Sequence, residues 1–288
     1  MPAGPRMTGE GRKARLKAPP HSCETHSHVY GPQYPLAPGE GRNPHAEASV
    51  EAYERMLARL GVERGVIVQP SAYGTDNRAT LDAIAAMGVH RARGVIMTSP
   101  DVGKAELMKL HDAGGRGMRF FLFPGGDLGL DVIDDVSAKV ADLGWHVQVQ
   151  GHGEEMAEWA PILKRLPCDS VIDHIGRVPV EGGVDNPAFR ALLDVVETGK
   201  VWVKLSAPYH TSKSDPPLYD DLTDRVGALV AARPDRMVWA ANWPHPHFPM
   251  DQKPDDADCL DVMAHWVPDE ATRNAILADN PAKLYGFD

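Results

Sequence analysis

At 288 residues the chain has the usual length of one α/β barrel, so two domains are not required. Apolar residues make up 43% and charged residues 24%, and no apolar run approaches the roughly 18 residues of a membrane span. A formal charge of −10, with no basic run beyond the N-terminus, argues against nucleic acid as the main partner.

Residues 1–21 carry Arg6, Arg12, Lys13, Arg15 and Lys17 among Pro and Gly, without the apolar block of a secretory signal. They are expected to form a loose basic tail ahead of one catalytic domain over 22–288. Cys23, Cys168 and Cys259 are far apart and form no CxxC pair, so neither a disulfide framework nor a zinc ribbon is indicated, and a reducing cytoplasm is the expected compartment.

A short β-like run over 22–28 leads into a Pro- and Gly-rich loop over 31–44. Strand-like apolar runs then follow at 65–70, 92–97, 117–122, 145–150, 170–174, 201–205 and 237–241. Amphipathic helical stretches separate them at 50–60, 78–87, 104–113, 134–143, 154–166, 187–197 and 222–232. Eight short apolar strands alternating with helices predict a single (β/α)8 TIM barrel. An open doubly wound sheet is the alternative, but no GxGxxG follows an early strand and no P-loop occurs. The acidic stretch 251–261 reads as a solvated face without a function.

Barrel active sites gather at the C-terminal ends of the strands, which selects the last polar residues of each run. In order these are His26 and His28, Gln69, Met97 to Ser99, Arg119, Gln148 and Gln150, His174, Lys204 and Ser206, and Asn242. His26 and His28, two apart on a strand, point to one face; they can hold a divalent metal or be hydrogen-bonded polar groups in the mouth. His174 is an acid/base candidate because imidazole titrates near neutrality. Arg119 interrupts an apolar strand, where a guanidinium needs either a carboxylate of the protein or one on a substrate. Lys204 has the same two explanations. Tyr30, Tyr73 and Tyr209 are loop tyrosines that can contact substrate hydroxyls or simply pack, and His245 has a better chance of touching substrate than His247.

His26-Ser-His28, Val171-Ile-Asp-His-Ile-Gly-Arg177, Trp202-Val-Lys204, Trp239-Ala-Ala-Asn-Trp-Pro-His245 and Asn280-Pro281 together resemble the amidohydrolase superfamily over about residues 22–287. The similarity is greatest to its lactone-processing branch, which holds 2-pyrone-4,6-dicarboxylate lactonases and D-galactarolactone isomerases. Lactonase-like segments are Gly74-Thr-Asp-Asn77, Leu81-Asp-Ala83 and Gly144-Trp-His-Val147; isomerase-like ones are Pro124-Gly-Gly126, Trp266-Val-Pro-Asp-Glu270 and Asn242-Trp-Pro-His245.

Metal-dependent members complete their metal set with a histidine after the fifth strand and an aspartate after the eighth. Here Gln148-Val-Gln150 and Asn242 stand in those places, and a neutral amide is a poor metal ligand, so no metal and no cofactor are expected. The resemblance implies hydrolysis of the ring ester of a small dicarboxylic lactone derived from a sugar or aromatic acid. His26, His28, His174 and Asn242 would be catalytic, and Arg119, Arg177, Lys204, Gln148, Gln150, Tyr30, Tyr73, Tyr209, Ser206 and His245 would contact the anionic substrate. Intramolecular acyl migration, and a non-catalytic anion-binding barrel, are the alternatives. Self-association into a homo-oligomer is left open.

Overall fold

The chain is described by a computed structural model covering residues 10–38, 45–123, 126, 128–249 and 252–287. Eight strands run parallel in sequence order: β1 Cys23–Ser27, β2 Arg64–Val68, β3 Ala92–Ile96, β4 Gly115–Phe121, β5 His146–Gln150, β6 Ser170–Ile172, β7 Val201–Leu205 and β8 Met237–Trp239. The helices α1 Val50–Leu60, α2 Arg78–Met87, α3 Lys104–Asp112, α4 Ile133–Ala141, α5 Met156–Arg165, α6 Pro187–Glu197 and α7 Thr223–Ala232 alternate with them. After β8 come α8 Asp256–Trp266, α9 Glu270–Asn274 and α10 Asn280–Tyr285. This is the expected (β/α)8 barrel.

Helix starts follow from local chemistry. Ser49 caps α1, Asn186 caps α6 ahead of Pro187, and Asp255 caps α8, each accepting a backbone N–H from the first turn. Helix faces such as Ala52, Tyr53, Met56, Leu57 and Leu60 of α1 pack outside the sheet. Inside the barrel, Val66, Val68, Val95, Val171, Trp202 and Val238 form a second apolar cluster that Leu284, Tyr285 and Phe287 join from the C-terminus. With period two along a strand, Trp202 puts Lys204 on the same inward face, one step nearer the mouth.

The β1–β8 seam is closed largely by irregular contacts. His28 N–H donates to the Trp243 carbonyl at 2.8 Å, the Thr25 hydroxyl to the Trp239 carbonyl at 2.7 Å, and Ala241 N–H to the Glu24 carboxylate at 2.9 Å. Glu24 also accepts the His26 N–H at 3.0 Å and the Tyr53 hydroxyl at 2.8 Å, and burial pushes its pKa up to about 7.

Two strands stop earlier than the apolar pattern suggests. β6 ends at Ile172 and β8 at Trp239, because the chain then enters left-handed backbone at His174, Ile175 and Arg177 (φ 56°, 55° and 50°) and at Asn242 (φ 67°). Such conformations cost on the order of 1–3 kcal/mol for non-glycine residues and survive only where surrounding contacts impose them. Both lie where the sequence placed the chemistry.

Residues 10–21, expected within a loose tail, are docked on α8. Arg12 pairs with Asp258 and Asp261 at 2.5 and 2.6 Å, and the backbone N–H groups of Arg15 and Leu16 donate to Asp261 at 2.7 and 2.8 Å. The acidic stretch is therefore not simply a solvated face: it receives this arm, and Asp255 and Asp256 are buried. Residues 1–9, and Pro124 and Gly125, lie outside the described residues. Among the described residues no helix is long and apolar enough to cross a membrane, and the three cysteines are free and buried.

Candidate active site

A cavity of about 240 Å³ opens at the C-terminal mouth of the barrel. Of the anticipated residues, His28, Tyr30, Arg119, Gln150, His174 and Asn242 line it. Ser71, Phe121, His45 and His247 join them. Among the described lining residues there is no carboxylate.

Beneath this cavity lies a polar floor. His26 Nε2 meets His28 Nε2 at 3.2 Å, and His26 Nδ1 lies 3.1 Å from Asp173 and 3.2 Å from Lys204 Nζ. Lys204 donates to the Thr25 carbonyl at 2.8 Å and to Gln148 Oε1 at 2.7 Å, while the Gln148 amide donates to Asp173 at 3.0 Å. Lys204 and Asp173 have fully buried side chains 3.4 Å apart, so each neutralises the other. His26, expected to be catalytic, and Gln148 and Lys204, expected to touch substrate, lie outside the cavity lining and support it from below.

Hydrogen bonding fixes imidazole states. His28 Nδ1 sits 2.8 Å from the Val68 carbonyl and must donate, which leaves its Nε2 as an acceptor for the His26 Nε2–H. His174 Nδ1 is 2.9 Å from the Ser206 hydroxyl, so Ser206 orients a ring rather than lining the cavity. Burial first, then neighbouring positive groups such as Lys204 and Arg119 around His26, pushes His26, His28 and His174 well below the ordinary histidine range. All three are neutral near pH 7.

Arg119 is 3% exposed. It donates to the Gln69 carbonyl at 2.5 Å and to Gln150 Oε1 at 3.1 Å, its guanidinium stands 4.8 Å from the Phe121 ring centroid, and Nε has no partner among the described residues. Its hydrogen-bond acceptors are neutral, and among the described residues no carboxylate contacts it. A buried cation of this kind suits an incoming anion.

The other anticipated contacts have different roles. Tyr73 exchanges hydrogen bonds with the backbone of Gly31 at 3.1 and 3.2 Å and packs 5.8 Å from Tyr30. Arg177 stacks over Phe123 at 4.9 Å outside the cavity lining. Tyr209 and His245 form a chain behind Asn242, and His247, ranked below His245 from sequence, reaches the cavity. Sequence reasoning passed over Asp173, Glu24, His45 and His210. Asp173 was within reach, since it lies two residues beyond inward-facing Val171; His210, whose ring is 5.1 Å from that of His174, sits in a loop without a pattern.

His26, Asp173 and His174 each offer a donor atom, all within 4.8 Å of one another, as a metal site would require. The ammonium of Lys204, 3.2 and 3.4 Å from two of those residues, already stands between them as their cation. With Gln148 bound to that ammonium and an amide at Asn242, the donor set does not suit a divalent ion.

A parallel barrel with neutral imidazoles and a buried arginine at its C-terminal mouth is the arrangement of a barrel enzyme's active site. The family described as amidohydrolase matches residues 23–287, and this chain belongs to it. A 2-pyrone-4,6-dicarboxylate hydrolase of Comamonas testosteroni is 35% identical, over 95% of this chain and 92% of its own. A D-galactarolactone isomerase of Agrobacterium fabrum is 33% identical, over 93% and 91%. A solved structure from Agrobacterium tumefaciens superposes with a TM-score of 0.89 at 31% identity, covering 97% of this chain and 99% of that one.

Proposed function

We propose that this protein opens the lactone ring of a small dicarboxylic acid by hydrolysis, without a metal ion. The observation that carries this reading is the cavity lining: a buried arginine with no carboxylate contact among the described residues, beside imidazoles held neutral. Arg119 grips a substrate carboxylate. In the tautomer that gives Nδ1–H to Ser206, His174 presents the Nε2 lone pair to a water molecule, removes its proton as the oxygen attacks the ring carbonyl, and returns that proton to the leaving ring oxygen. Gln150, whose Oε1 is engaged by Arg119, has its amide N–H groups available for the developing oxyanion. Lys204 acts from the floor by holding Gln148, His26 and Asp173.

A second reading, migration of the acyl group to another hydroxyl of the same substrate, is favoured by Asn242. A substrate hydroxyl held next to the carbonyl needs less activation than water, so an amide can stand where a carboxylate base would. The similarity to both a lactone hydrolase and a lactone isomerase supports lactone chemistry without choosing between them.

Incubation with a panel of dicarboxylic lactones, followed by proton release and carbon NMR, tests both. Proton release with an open-chain product supports hydrolysis; a new lactone without proton release supports migration. Binding without turnover of any lactone would overturn both and leave an anion-binding barrel.

A further inference from the structure

We propose that Tyr209 and His245 are positioning residues that hold Asn242 with its amide oxygen toward the cavity, and that their hydrogen-bond polarity specifies an amide rather than a carboxylate at position 242. The role of Asn242 in lactone chemistry rests on the function proposed above; the hydrogen-bond relay does not.

The relay has a direction set at its far end. Asp256 lies 2.6 Å from Arg59 Nη2 and 3.0 Å from His245 Nε2. A carboxylate ion-paired with an arginine only accepts, so His245 directs an N–H at it from Nε2, and in the singly protonated ring this leaves a lone pair on Nδ1. The Tyr209 hydroxyl, 2.9 Å from Nδ1, must donate there. Its oxygen then offers only lone pairs to residue 242, where the Asn242 Nδ2 donates at 2.8 Å. Burial pushes the Tyr209 phenol well above its usual range, so it retains the proton that the relay requires.

Backbone geometry locks the ends together. Asn242 and His245 both adopt left-handed conformations (φ 67° and 57°), and the His245 N–H donates to the Asn242 carbonyl at 2.7 Å. With Nδ2 drawn toward Tyr209, Oδ1 is the amide atom left for a ligand in the cavity that Asn242 lines. It can accept a proton-bearing group such as a hydroxyl or water. An aspartate at 242 would meet the phenol lone pairs at hydrogen-bond distance or draw the phenol proton away, leaving His245 Nδ1 without its donor.

Two measurements test this. In nitrogen-15 spectra of the histidine side chains, assigned through the loss of signal in His245→Gln, His245 is expected as the Nε2–H tautomer. Its Nδ1 resonance should shift in Tyr209→Phe and again in Asn242→Asp. A wild-type Nδ1–H tautomer, or an Nδ1 signal unmoved by Asn242→Asp, overturns the proposal whether or not a substrate is known. With a turned-over lactone, Tyr209→Phe should lower kcat about threefold to tenfold with little change in KM, the size of one neutral hydrogen bond. In an Asn242→Ala background the same change should have less than about a twofold effect, since the residue it positions is gone. Equal losses in both backgrounds would make Tyr209 merely structural and overturn the positioning role. Absence of turnover with every lactone would refute the proposed function while the spectra still decide the relay.

Discussion

Replacing Arg119 by Gln separates substrate binding from folding. Burying a guanidinium costs several kcal/mol unless it is paired, and Arg119 is bonded to the Gln69 carbonyl and Gln150 Oε1, both neutral. Gln keeps a donor for one of these acceptors and removes the charge, so the relief of desolvation and the orphaned acceptor, about 1–3 kcal/mol, oppose each other. Thermal stability should therefore change by only a few degrees. Activity should not be spared. Two charge-assisted contacts to a substrate carboxylate are worth about 1.5–3 kcal/mol each, so kcat/KM on a dicarboxylic lactone should fall by about 10² to 10⁴. Steady-state kinetics on folded variant, with melting followed by circular dichroism, makes the comparison. Arg119→Lys should recover little, because a point charge cannot reproduce the fork. A loss under about fivefold in Arg119→Gln with the fold intact would refute the assignment of Arg119 to the substrate anion.

Lys204→Met should cost about 3–5 kcal/mol in a denaturant titration, because it leaves Asp173 as an unpaired buried carboxylate, and adding Asp173→Asn should restore part of the loss. A single-variant loss under about 1 kcal/mol would show that the pair is not the floor's charge balance. Stability should also fall steeply in acid. His26, His28 and His174 are held well below the ordinary range, His146 at about 3 and His210 at about 2, chiefly by burial, so below about pH 6.5 the unfolded chain takes up protons that the fold refuses. The expected slope is on the order of 1.4 kcal/mol per pH unit for each imidazole, offset by about one group's worth by Glu24, whose raised pKa has the opposite sign between about pH 4.5 and 7. Urea midpoints that stay flat from pH 7 to 5 would contradict it. Finally, lactone turnover should survive prolonged chelation with zinc far below one equivalent by elemental analysis; activity lost on chelation and restored by zinc would require a metal role that the Lys204 geometry argues against.

The barrel was legible because parallel strands covered on both faces must be apolar along their length, and seven such runs beside the His26 segment, spaced by amphipathic helices, admit few folds. Period two put His26 and His28 on one face, while Arg119, Gln148 and Lys204 followed from their places in the strand runs. Depth did not: parity says which face a side chain takes, while strand stagger and barrel tilt decide whether it reaches the mouth, as His28 and Arg119 do, or stays in the floor with Lys204. Strand ends at Ile172 and Trp239 were also hidden, because the left-handed turns after them fall on non-glycine residues, His174, Ile175, Arg177 and Asn242, which do not signal such a backbone. The same holds for Asp256 and the arm at Arg12: an acidic helix and a basic terminus each look solvated until they are brought together. From sequence, Asn242 was a catalytic candidate, a neutral replacement for an aspartate, with no partners assigned to it. The partners of that amide were decided only by the tertiary structure, because Tyr209, His245 and Asp256 come from three separate segments that meet only when packed.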